Sequence, residues 1–202
     1  MLKELFESSF YQTFPKVEGR TLNLIEKTAT GTFSLLDDKA CQGCKHVCSS
    51  DISLREQLKV KSNQSVSYIS VDQVVSYVKD SVGKTCDYML DSNDSVALVE
   101  MTCSTSDYVV DKRSTARKQL YNTIALLSNC PQVKEYINRK TKNYVIFSWK
   151  ETFDSSIKSD EVEDIMTGMF AMTDAVYSPD NESNFDFDFK FKEIRYPHVL
   201  SL

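Results

Sequence analysis

The sequence predicts an α/β domain with a mixed central β-sheet flanked by helices, and three observations carry this. Apolar residues recur at helical spacing, with Val71, Val74, Val75, Val78 and Val82 on one stripe and Ala116, Leu120, Ile124 and Leu127 on another. Between these stripes the period changes to two short apolar runs, CDYML at 86–90 and SVALVEMTC at 95–103, separated by the turn cluster Asp91-Ser92-Asn93-Asp94. Strands joined by so short a turn form an antiparallel hairpin. Finally, YVIFSW at 144–149 is almost continuously apolar, the mark of a central strand.

The remaining elements follow in chain order. Leu2, Leu5, Phe6 and Phe10 form a first helical stripe that Pro15 ends. Residues 21–36 show no clear period. A cysteine-rich turn follows, and polar residues run from there to about Ser67. Ser70 with Gln73 three residues on is a capping-box pattern, opening a second helix that Gly83 stops. Its valines lower helix propensity, so packing must hold it. A third helix spans roughly 111–127, closed by Ser128, Asn129 and Pro131. A fourth runs from about 160 to 176, with Val162, Ile165, Met166 and Met169 inward. The last strand, FDFDFKFKEI, alternates Phe185, Phe187, Phe189 and Phe191 with charged residues, a one-sided pattern suited to a sheet edge. With only 5 Gly and 4 Pro, no long linker is expected. The chain reads as a single domain, 1–202, with an N-terminal helical and cysteine-bearing segment (1–69) and a core (70–202).

Composition narrows the function classes. Hydrophobic residues at 41% and charged residues at 26% fit a globular protein of ordinary core size. A net charge of −5 argues against a surface coated for unspecific nucleic-acid binding, although 24 Lys and Arg leave room for a local basic site. The opening MLKELFESSFYQTF carries acidic residues where a signal sequence needs an apolar stretch, and no run approaches a membrane span. The expectation is a cytoplasmic protein whose six cysteines are thiols or metal ligands rather than disulfides.

Two acidic residues stand out. Asp87 sits near the start of the first hairpin strand, and Glu100 lies inside the second, between Val99 and Met101. Apolar strands rarely carry a carboxylate in their middle, because a buried charge is costly unless compensated. A group near the start of one hairpin strand meets a group near the end of the other, so Asp87 and Glu100 can approach each other. Such a pair would raise each other's pKa or share a hard cation such as Mg²⁺. The plainer reading is a wet hairpin face.

The run CDYML, a short turn, VALVEMT, and a helix containing ARKQL resembles the motif of the PD-(D/E)xK nuclease-like, or restriction endonuclease-like, family. The likeness covers residues 86 to about 127. It implies a restriction endonuclease-like core in which Asp87 and Glu100 bind Mg²⁺ or Mn²⁺ and Gln119 faces the site from the helix. It also implies phosphodiester hydrolysis on nucleic acid, in restriction, repair or anti-phage defence. The family's lysine position is Thr102 here, on the same strand face as Glu100. A hydroxyl cannot stabilise developing phosphorane charge as an ammonium can. The third helix offers a surrogate in Lys112, which lies about 20° from Gln119 around the axis, whereas Lys118 points to solvent. Gln119 also reads as an ordinary polar residue beside a buried stripe, and the run Lys112, Arg113, Arg117, Lys118 as either a solvated face or a phosphate contact.

Cys41, Cys44 and Cys48 form C-x2-C-x3-C around His46, a spacing that can close on zinc if His46, Cys86 or Cys103 completes the set. Three unmetalled thiols are the alternative. Cys130 reads as a packing residue, and His198 is not expected to be a ligand. Three functions follow: a metal-dependent nuclease, a catalytically inactive scaffold or recognition subunit of the same fold that works with a protein partner, and a zinc-dependent interaction module.

Overall fold

In the computed structural model, residues 2–36, 56–79, 82–104, 109–151 and 189–202 are described. The hairpin read from residues 86–103 is present as β3 (Tyr88–Asp91) and β4 (Ser95–Ser104), paired antiparallel with Tyr88 opposite Val99. From β4 the chain enters α4 (Val109–Ser128) and α5 (Pro131–Asn138), then returns as β5 (Lys142–Glu151) alongside β4. The β4–β5 pairing is parallel and runs from Ser95–Lys142 to Ser104–Glu151. β6 (Lys190–Arg195) adds parallel to β5, at the edge that its alternating pattern suggested.

Two further strands correct the reading of the N-terminal segment. Residues 26–36 form β1 (Glu26–Leu36), and the supposed polar run is the fifteen-residue β2 (Glu56–Ser70). They pair antiparallel through a register shift at Ala29/Gly31, where Gly31 takes φ +81°. Much of β1 faces solvent, so it carries no continuous apolar stripe to betray it. β2 pairs with β3 through Ser67–Ser70 and with β7 (Val199–Ser201) through Lys59–Lys61. The seven-stranded sheet therefore runs β1-β2-β3-β4-β5-β6, with β7 attached to β2.

The two sheet faces are covered differently. Leu98 and Val96 of β4 pack with Leu120, Ile124 and Leu127 of α4 and with Leu2, Phe6 and Phe10 of the N-terminal helical segment, which passes from α1 (Leu2–Leu5) through a π-helical stretch (Phe6–Phe10) to α2 (Tyr11–Thr13). The alternate residues Ala97, Val99 and Met101 pack with Leu58, Val60, Ile146, Ile194 and Leu200. Among the described residues, helices lie on the first face and strand side chains of β1, β2 and β7 fill the second. Burying one side chain the size of Phe6 or Leu120 contributes about 1.5–3 kcal/mol, which explains why these stripes were legible.

The second expected helix is real but short. Ser70 accepts a hydrogen bond from the Gln73 N–H at 3.3 Å, as the capping pattern required, yet α3 covers only Val71–Val75. Beyond it the backbone is captured by the segment after α2: the Val17 N–H donates to Tyr77 O at 2.9 Å and the Lys79 N–H to Pro15 O at 2.8 Å. β-branched residues resist helix and tolerate this extended pairing. Helix α5 was not expected; Pro131 sits at its first turn, where a missing N–H costs nothing. Among the described residues no helix is long and apolar enough to cross a membrane. The cysteine turn at 41–48, the helix at 160–176 and the start of the alternating strand at 185–188 lie outside the described residues.

Candidate functional site

The segment from Lys84 to Asp87 enters β3 held by several hydrogen bonds. The Asn122 amide donates to Lys84 O at 3.4 Å and the Gln119 amide to Thr85 O at 3.0 Å. The Cys86 N–H donates to the Thr123 hydroxyl at 2.9 Å, and the Thr85 hydroxyl to Asp72 at 3.1 Å. Three polar residues on one face of α4 thus grip three successive residues of the segment. Gly83, just before the segment, takes φ +77°, a conformation that favours glycine.

Asp87 stands one residue outside β3. Its N–H donates to Val99 O at 3.0 Å, and its Oδ2 accepts the Met101 N–H at 2.7 Å. The carboxylate extends the β3–β4 ladder by one rung where the β3 main chain has turned away, and so gives Met101 N–H a partner. The two bonds bracket Glu100, which is only 8% exposed and accepts from the Gln119 amide at 2.8 Å through Oε1. Both carboxylates line one cavity of about 410 Å³, together with Asp72, Gly83, Lys84, Thr85, Met101 and Gln119. The side chains of Asp87, Glu100 and Gln119, named from sequence, therefore converge.

The other expected residues are distributed differently. Lys112 lies on α4, is exposed, and is not among the residues lining the cavity. Lys118 is exposed as expected. The basic run divides: Arg113 forks onto Glu193 of β6 at 2.6 and 2.8 Å, with the Trp149 indole donating to the same carboxylate, and Arg117 lies 4.7 Å over the Phe191 ring. Those two arginines fasten α4 to β6 rather than offering a phosphate contact. Among the described residues, the cation that lines the cavity is Lys84, which precedes the motif instead of sitting on its helix. The neighbouring Thr85–Cys86–Asp87 run was the available signal.

The donors at this site suit a hard cation. Mg²⁺ is commonly held by one or two carboxylates and keeps several waters or substrate oxygens, and Asp87 and Glu100 supply such a pair. Among the described residues, no group of three or more His, Cys, Asp or Glu could hold a metal ion. Cys41, Cys44, Cys48 and His46 lie outside the described residues. Cys86, a possible fourth zinc ligand from the sequence, is fully buried in the core, and burial pushes its thiol well above the usual range. Cys130 is a buried packing residue, as read from sequence.

In comparisons with family models, curated proteins and solved structures, nothing matches the chain.

Proposed function

We propose that the chain is a nuclease-family protein that hydrolyses phosphodiester bonds in nucleic acid with Mg²⁺ or Mn²⁺ held by Asp87 and Glu100. The observation that carries this reading is the convergence of Asp87, Glu100, Gln119 and Lys84 on one cavity. The strand–turn–strand–helix unit that resembles the PD-(D/E)xK core supports it, because α4 brings Gln119 back onto Glu100.

The roles follow from the contacts. A bound divalent cation supplies Lewis acidity toward a phosphoryl oxygen. Gln119 spends one amide on Glu100 Oε1 and Thr85 O, which fixes the carboxylate's direction and ties it to the segment carrying Lys84 and Asp87. The Met101 N–H fixes Asp87 in the same way. The Lys84 ammonium, on a clamped backbone at the cavity wall, takes the part that Thr102 cannot, neutralising charge that develops on the phosphate.

A second reading, an inactive scaffold or recognition subunit in a larger complex, is favoured by a specific observation. Asp87 and Glu100 both serve the fold, one completing a strand ladder and the other anchoring α4. Cleavage of single- and double-stranded DNA and RNA, with Mg²⁺ and with Mn²⁺, separates the two. Glu100→Ala and Lys84→Ala should each lower the rate by about 10² or more, while Lys118→Ala should not. Cleavage that survives Glu100→Ala comes from elsewhere and sinks the site. A protein that cuts none of these substrates and binds no Mn²⁺ is the scaffold.

A further inference from the structure

At the opposite end of β4 and β5, away from the carboxylates, lies a second cavity of about 190 Å³. Its walls include Lys140, Lys142 and Lys190, with Asn138, Asn143 and Tyr144, and among the described residues no carboxylate lines it. Each of these side chains carries a hydrogen-bond donor, so the cavity is built to receive an acceptor.

The charges around it do not cancel. Lys140 is neutralised by Asp91 at 2.8 Å, and Lys142 sits 3.2 Å from Asp94. Lys190 faces Tyr144 across the β5–β6 pairing. Lys192, two residues on and so on the same face of β6, places its ammonium 3.8 Å from the centre of the Tyr144 ring. Neither Lys190 nor Lys192 has a carboxylate partner among the described residues. Burial, and then the neighbouring Lys190 and Lys142, hold the Lys192 ammonium below the usual lysine range. Among the described residues, two positive charges therefore have no carboxylate partner, and both stand beside the Tyr144 ring.

We infer that this cavity binds a phosphoryl group, with Lys190 in its wall and Lys192, which stands beside it over the Tyr144 ring, as charge partners and Tyr144 and Asn143 as flanking donors. A phosphate dianion matches the two charges that have no carboxylate partner among the described residues, and charge-assisted hydrogen bonds from ammonium to phosphate oxygen are the strong kind. The volume exceeds by several times the roughly 30 Å³ that a water occupies in the liquid, so a phosphate fits together with hydrating water. The same chemistry is presented by a small phosphomonoester and by a nucleic-acid backbone. The inference does not rest on the carboxylate site.

The test is calorimetric titration of the full chain with inorganic phosphate and, separately, with a short single-stranded oligonucleotide at two salt concentrations. At least one should bind, and the Lys190→Gln/Lys192→Gln double variant should weaken that binding by about tenfold or more. Lys192→Arg should retain it, because the charge is kept, and Lys118→Gln should change nothing. The Lys192 ammonium, followed by NMR, should titrate at higher pH when the site is filled. Binding of phosphate alone assigns the site to a small phosphomonoester; binding of the oligonucleotide with a salt slope that falls in the double variant assigns it to the backbone. No binding of either probe, or binding that the double variant leaves intact, overturns the inference.

Discussion

The two ends of the β3–β4 hairpin hold acids in opposite ways. At the turn end, Asp91 is 2% exposed and fully engaged: the Lys140 ammonium pairs with Oδ1 at 2.8 Å and the Tyr136 hydroxyl donates to Oδ2 at 2.6 Å. Lys140 donates further to Ser92 O at 2.6 Å and lies 4.7 Å over the Tyr136 ring. At the open end, Asp87 and Glu100 take hydrogen bonds from neutral donors, Met101 N–H and the Gln119 amide, and both border a cavity. An acid meant only to hold a fold is closed off by a buried cation. The acids at the other end are steered by amides and left facing space in which a ligand fits. The same strand pair thus carries one structural carboxylate and two that the fold presents.

Four substitutions break or sharpen this contrast. The largest effect belongs to Lys140→Met. Removing one partner of a buried pair strands the other, and a loss of about 3–5 kcal/mol is expected in urea unfolding; a loss under about 1 kcal/mol would mean that the turn end is not held by this pair. Tyr136→Phe comes next, at about 1.5–3 kcal/mol for a hydrogen bond to a charged group. It also tests pH dependence. Burial first, and then Asp91, raise the Tyr136 phenol above its ordinary value. A raised phenol favours the folded state below the unfolded value, so its contribution is complete below about pH 10 and declines as pH rises beyond that. Stability curves should therefore fall above about pH 10, less steeply in Tyr136→Phe, with the remaining slope owed in part to Tyr11, whose phenol burial also raises.

At the open end the effects on folding shrink while those on function grow. Glu100→Gln keeps the shape, removes a buried charge, and should change stability by no more than about 1 kcal/mol, while abolishing Mn²⁺ binding and cleavage. Destabilisation equal to that of Lys140→Met would make Glu100 a structural acid and erase the contrast. Lys84→Ala should be smaller still, within about 0.5 kcal/mol, because the side chain is exposed. Its grip on α4 runs through the backbone carbonyl, which the substitution leaves in place.

What could be read from sequence divides along physical lines. Wherever burial on one face dominates, as at Ala116, Leu120, Ile124 and Leu127 or at YVIFSW, the period named the element. The hairpin acids were legible for the same reason inverted: Glu100 interrupts an apolar run. β1 and β2 were not legible, because β1 is largely exposed and β2 alternates over fifteen residues without a dense apolar stretch. α3 was overextended because five valines on one stripe imitate a helix, and only long-range pairing with Pro15–Val17 shows where it stops. Lys84 escaped because its place at the cavity depends on Gly83 and on Asn122 and Gln119 reaching back from α4, relations that spacing does not encode.

The attachment of β7 to β2 has a kinetic meaning. Lys59 must find Val199 across most of the chain, and closing so long a loop is slow beside local hairpin formation. The β1–β2 and β3–β4 hairpins can form early, but the outer stretch of β2 keeps an unsatisfied edge until the far strand arrives. During that interval Lys59 and Lys61, charged residues on the waiting edge, discourage pairing with a second chain. The lysines that look like ordinary surface in the finished sheet act, in the unfinished one, as guards against aggregation.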